Sequence, residues 1–135
     1  QIAGVVAHEI GHITAKHGLK RLQASYGAMI LQIASATQGG RAASGVGLAL
    51  NSLFSEYSQL AEFEADRLAV KYMEKAGYDP NEMVKMLEIL QEEKQKAPIR
   101  QYSYWKTHPN IPARIATVNQ EITGTLEFRD YIRMH

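Results

Sequence analysis

Apolar residues along the chain fall at helical spacing in successive stretches. From residue 1 to about 26, Ile2, Val5, Val6, Ile10 and Ile13 recur every three to four positions. Lys16, Lys20 and Arg21 follow toward the C-terminal end, where cations suit the helix dipole. Gly4, Gly11 and Gly18 each cost such a helix up to about 1 kcal/mol relative to alanine, which points to close packing or a functional demand. A second helix is expected over 56–76, with Tyr57, Leu60, Ala61, Ala65, Leu68, Ala69, Tyr72 and Met73 as one apolar face and Gly77 as its stop. Asp79-Pro80-Asn81-Glu82 reads as an N-cap, a proline at the first helical position and a capping glutamate. The helix it opens runs to about Lys96 and is ended by Pro98. Residues 98–109 read as a loop or short strand, Pro112–Glu121 as a last helix, and the tail 123–135 carries no clear pattern.

The stretch 22–55 is of another kind. Arg41 is the only charged residue between Arg21 and Glu56, and Gly39-Gly40 divides the stretch into two halves rich in Ala, Ser, Gly and Leu. Neither half reaches the ~20 apolar residues of a transmembrane helix. The favoured reading is a buried helical hairpin or loop. The alternative is a flap, a membrane-surface contact or a partner surface.

Composition adds bounds. The 135 residues make a single domain, and 45% hydrophobic with 21% charged residues is globular rather than disordered. A formal net charge of +1 gives no reason to expect nucleic acid as a partner. With no cysteine, disulfides, thiolate metal sites and a cysteine nucleophile are excluded. The chain starts without Met and runs straight into a helix, so it reads as a fragment, with targeting sequence and upstream strands expected outside it.

The chemistry concentrates in His8-Glu9-Ile10-Gly11-His12, an HExxH motif. On a helix His8 and His12 lie one turn apart on one face, so both imidazoles reach a single ion. Glu9 is rotated about 100° from His8 and about 60° from His12, beside the metal, where it can take a proton from water. Random placement of this composition produces the motif with a probability of roughly 1–2%, so a metal site is the favoured reading. A catalytic zinc needs a third protein ligand. His17 lies about 180° from His8 on a continuous helix and is set aside as a solvated or capping residue. Glu62 is preferred, because Asp66 one turn on can back a ligand histidine; Glu64, Glu56 and a merely solvated acidic face stay open. His108 follows an aromatic run, Tyr102, Tyr104 and Trp105. It reads as an oxyanion donor or fourth ligand helped by Arg114, or as a packing histidine at a helix start.

HEIGH, then AEFEADRLAVKYMEKAGYDP, then THPNIPARI resemble the M48 zinc metallopeptidases. The resemblance is nearest to the soluble bacterial envelope branch of the BepA type. It implies a mainly α zincin (gluzincin) core with the HExxH helix packed against a glutamate helix. It further implies one Zn²⁺ per chain held by His8, His12 and Glu62, with Asp66 behind a histidine. Glu9 would be the general base, and His108 would lie at the active site, where relatives use the matching histidine for regulation or transition-state stabilisation. The expected activity is hydrolysis of protein or peptide substrates, periplasmic or membrane-associated; the alternative is a chaperone-like or latent zinc module whose coordination sphere is filled.

Overall fold

The computed structural model describes residues 1–96 and 108–124. Among them are five α-helices and no strand: α1 (Ile2–Thr14), α2 (His17–Ala36), α3 (Gly40–Lys75), α4 (Asn81–Lys96) and α5 (Ile111–Thr123). The mainly α architecture expected from the sequence is therefore observed. The expected loop over 98–109, apart from His108 and Pro109, and the tail beyond Gly124 lie outside the described residues.

The helix expected over 1–26 is two helices. Thr14 Oγ1 donates to the carbonyls of Ile10 and Gly11 at 2.9 and 3.1 Å, a back-bond at the end of α1, where the Ala15 amide still closes on Gly11 O. Lys16 then adopts a left-handed conformation (φ 57°), and α2 starts at His17. For a lysine that conformation costs on the order of 1 kcal/mol.

The buried face of α1 also differs from the apolar pattern. Ile2, Val5, Val6, Ile10 and Ile13 are exposed, and Gly4, Ala7, His8 and Gly11 are buried. The reason is a close crossing with α3. A Cβ on Gly11 would stand 2.8 Å from the Ala65 carbonyl oxygen, closer than real Cβ atoms come. Backbone approaches backbone there, and the branched residues are turned outward.

Residues 22–55 do form a helical hairpin, α2 and the first half of α3, turned at Gly39 (φ 105°). It is not buried, contrary to the favoured expectation. Met29, Ile30, Leu31, Ile33, Leu48 and Leu53 are all exposed. In α3 no residue before Ala61 is buried. No described helix is long and apolar enough to cross a membrane.

The helix expected over 56–76 is the second part of α3, which runs unbroken from Gly40. Its start signal was missing from the sequence because none exists: Gly45 and Gly47 weaken a helix without ending it. The stop is as expected. Gly77 takes φ +77°, and the Tyr78 amide donates to Met73 O at 2.9 Å, a six-residue closure of the helix end. Asp79 then caps α4 by accepting from the Asn81 amide at 2.9 Å. The core lies where α1, the C-terminal part of α3, α4 and α5 meet. Ala7, Val70, Met73, Met83, Leu87 and Ile115 are among its buried members.

Candidate metal centre

Three chain segments converge on one point. From α1 come His8 and His12, one helical turn apart; from α3 comes Glu62; from the segment ahead of α5 comes His108. One donor atom from each of these four residues lies within 4.8 Å of all the others, a group able to hold a metal ion. His8 Nε2 is 3.0 Å from His12 Nε2 and 3.5 Å from Glu62 Oε2. His12 Nε2 is 3.2 Å from Glu62 Oε1. His108 Nδ1 is 3.0 Å from Glu62 Oε2 and 3.4 Å from His8 Nε2. Glu9 is half exposed, with Oε1 3.9 Å from His108 Nε2.

Behind these atoms stands a buried layer. His8 Nδ1 is 2.7 Å from Asp66 Oδ1. A carboxylate only accepts, so the Nδ1–H of His8 donates to it and the lone pair at Nε2 faces inward. Arg114, fully buried, grips Asp66 with two hydrogen bonds, Nε to Oδ2 at 2.8 Å and Nη2 to Oδ1 at 2.9 Å. Its Nη1 reaches Glu62 Oε2 at 3.0 Å. One guanidinium thus offsets the repulsion between two buried carboxylates a turn apart on α3. The oxyanion or substrate contact expected of Arg114 needs an exposed face, and its side chain has none.

The protonation preferences follow from this crowding. Burial alone would raise Glu62, but hydrogen bonds from His108, His12 and His8 outweigh it and hold the carboxyl well below the usual range. Burial works against a charged His8, yet its hydrogen bonds to Asp66 and Glu62 raise its pKa above the ordinary value. Both shifts express one fact. Electron-rich atoms face one another across a small space, and something positive, a proton or a metal ion, belongs among them.

His17, set aside on the sequence, is nearly buried at the start of α2. Its Nδ1 is 2.9 Å from His12 Nδ1 and its Nε2 is 3.1 Å from Glu64 Oε2. The angular argument against it assumed a continuous helix, and the left-handed turn at Lys16 removes that assumption. The hydrogen bond from His17 is what holds the Glu64 carboxyl below its ordinary pKa. A cleft opens beside His12, Glu62 and His108, walled by Arg21, Phe54 and Tyr57.

Fold and donor cluster together define a class, a helical metallopeptidase core. The chain belongs to peptidase family M48, whose family model matches residues 1–122. It is similar to the β-barrel assembly-enhancing protease of Escherichia coli K12, with 28% identity over 127 residues, 86% of this chain and 26% of the relative. The protein of the same name from Yersinia pestis is 28% identical over 101 residues, 67% of this chain and 21% of its own. The chain therefore spans about a quarter of the length of these curated relatives. No solved structure matches it closely enough to count as similar.

Proposed function

We propose that this chain is the catalytic core of a zinc-dependent endopeptidase, with His8, His12 and Glu62 as metal ligands and Glu9 as general base. The observation that carries the reading is the convergence of the four donor atoms on one point, with half-exposed Glu9 3.9 Å from His108 beside it. The fit to zinc is geometric. Bonds of about 2.0–2.1 Å in a tetrahedron put ligand atoms about 3.3–3.4 Å apart. The contacts among these donors run from 3.0 to 3.5 Å, and one atom from each of the four lies within 4.8 Å of the rest, so an ion of that size fits among them once the wider pairs draw in. Two imidazoles and a carboxylate are also a donor set suited to zinc.

The chemistry a bound zinc ion supplies is polarisation of the scissile carbonyl and acidification of water toward a pKa of about 7. Glu9, half exposed, can reach such a water, take its proton and pass it to the leaving amine. Glu62 and His8 are held by buried partners, Arg114 and Asp66, and His12 by His17 on its outer side. Arg114 acts in this reading as the brace of Glu62 and Asp66, not as a group that meets substrate.

His108 favours a refinement. Its Nδ1 stands among the proposed ligand atoms, so with zinc bound and substrate absent it would be available as a fourth ligand that keeps the site latent. Substrate then has to displace it. The relatives' name, a protease tied to β-barrel assembly, supports a role in protein quality control in the bacterial cell envelope, with protein or peptide as substrate. The exposed apolar hairpin supports contact with a membrane surface or a client chain in that setting.

Metal analysis paired with casein hydrolysis, on wild type and Glu9→Gln, tests the core reading. One zinc per chain in both and turnover only in the wild type is the expected result, because the amide keeps the shape of the base but cannot accept the proton. Wild-type turnover by Glu9→Gln would remove Glu9 as the base, and a zinc-free active enzyme would end the zinc reading altogether.

A further inference from the structure

We infer that His17 and Glu64 form a relay that positions His12 for metal binding, a second support built in parallel with Asp66 behind His8. The inference rests on the zinc reading of the site. It begins with an asymmetry. His8 has its carboxylate in direct contact, at 2.7 Å. Within the described contacts His12 reaches a carboxylate on its outer side only through another imidazole, His17.

The proton positions follow one from another. Glu64 accepts only, so His17 Nε2, 3.1 Å away, carries hydrogen and donates. A neutral imidazole protonated at Nε2 presents a lone pair at Nδ1. His17 Nδ1 therefore accepts from His12 Nδ1 at 2.9 Å. With Nδ1 of His12 protonated, its Nε2 is left as a lone pair, and that atom faces Glu62 and His8. The chain Glu64–His17–His12 thus selects the tautomer a metal ligand needs, in the way a single carboxylate does for His8.

The fold serves this arrangement. The left-handed turn at Lys16 brings the first residue of α2 back against the last turn of α1. His17 is nearly buried there, while Glu64 remains about half exposed. Glu62, Glu64 and Asp66 then have separate tasks within five residues of α3: one reaches the metal position, one reaches His12 through His17, one reaches His8. His17 and Glu64 are positioning residues, since neither belongs to the group of atoms around the metal position.

The test is zinc affinity in the intact protein, measured by competition with a chromophoric chelator. His17→Ala and Glu64→Ala are each expected to weaken zinc by about 10–100-fold, the usual range for loss of an outer partner. Because the residues act in series, the double variant should be no weaker than His17→Ala alone. His17→Gln supplies an amide oxygen that accepts from His12 directly. It should recover much of the affinity, and Glu64→Ala in that background should change nothing. The visible spectrum of the cobalt-substituted protein should shift in His17→Ala and return toward wild type in His17→Gln. Full additivity of the two alanine variants, or wild-type affinity in either, overturns the relay. Should His17→Ala fail to fold, Glu64→Ala and the His17→Gln pair decide alone. Glu62→Ala is the reference: if it too binds zinc at wild-type affinity, the metal reading itself has failed, independently of the relay.

Discussion

At the scale of single residues, Asp66 and Arg114 show how closely stability and the proposed metal binding are joined. Asp66 is fully buried, accepts from His8 and is held twice by Arg114. Truncating it leaves a buried guanidinium with one carboxylate in place of two. Asp66→Ala is therefore expected to destabilise the fold by about 3–5 kcal/mol, read from denaturant midpoints. Asp66→Asn keeps the volume and an acceptor for His8, so it should fold and yet bind zinc about 10–100-fold more weakly. Equal stability of Asp66→Ala and wild type would show that Arg114 finds other partners. His108→Ala probes the latent state: displacement of a blocking ligand is no longer needed, so hydrolysis of a short peptide should rise. A fall in kcat of about 10²–10³ would assign His108 to the oxyanion instead. The sequence made His8, Glu9 and His12 legible, because one helical turn relates them by local geometry alone. Periodicity alone could not choose between Glu62 and Glu64, which flank the apolar face about equally; the partner one turn on, Asp66, favoured Glu62, and the crossing with α1 is what buries Glu62 and Asp66 and leaves Glu64 half exposed. Arg114 had a readable signal: a lone cation inside the apolar run Ile111–Val118 has to be paired if that run is buried.

At the scale of elements, the contact that sets the site is the crossing of α1 and α3 at Gly11 and Ala65. It positions the HExxH turn against Glu62 and Asp66. A methyl group at Gly11 would meet the Ala65 carbonyl oxygen at 2.8 Å and its Cα at 3.0 Å, both backbone atoms with little freedom to move. Gly11→Ala is expected to force the helices apart and cost about 1–3 kcal/mol by overpacking, more than the helix propensity it gains. Zinc affinity should fall with it, because the two ligand helices no longer approach as closely. Gly27→Ala is the matched control. Its Cβ would meet nothing within 4 Å in the middle of α2, so it should stabilise by up to about 1 kcal/mol and leave zinc binding alone. If Gly11→Ala behaved like Gly27→Ala in thermal melts and chelator titrations, the crossing would not be the constraint. The same crossing explains what the apolar pattern misled about. Period alone located α1, but its branched residues point outward, because a glycine and alanine face allows a closer approach than isoleucine would. Helix ends were legible where they had local chemistry, at Gly77 and Asp79. The break at Lys16 had none, since lysine is not a residue that favours a left-handed turn.

At the scale of the whole molecule, the metal position ties together three segments far apart in the sequence, α1, α3 and the residues before α5. An ion bound there binds the folded state far more tightly than the unfolded chain, where those segments are dispersed. Binding at 1,000 times its dissociation constant stabilises by about 4.1 kcal/mol. For a chain of this size that corresponds to a rise in Tm on the order of 10 °C. Removal of metal with a strong chelator should lower Tm by that amount, and added zinc should restore it. Glu62→Gln supplies the decisive comparison. The amide keeps most of the packing around Arg114 but is a poor zinc ligand, so this variant should melt near the chelated wild type and ignore chelator. Ion pairing without metal predicts a different result: Glu62→Gln would melt below the chelated wild type, having lost the carboxylate that His8, His12, His108 and Arg114 all approach. A wild-type Tm indifferent to chelator would mean that protons and Arg114 suffice to hold the cluster. The four donors would then be a structural network in place of a metal centre.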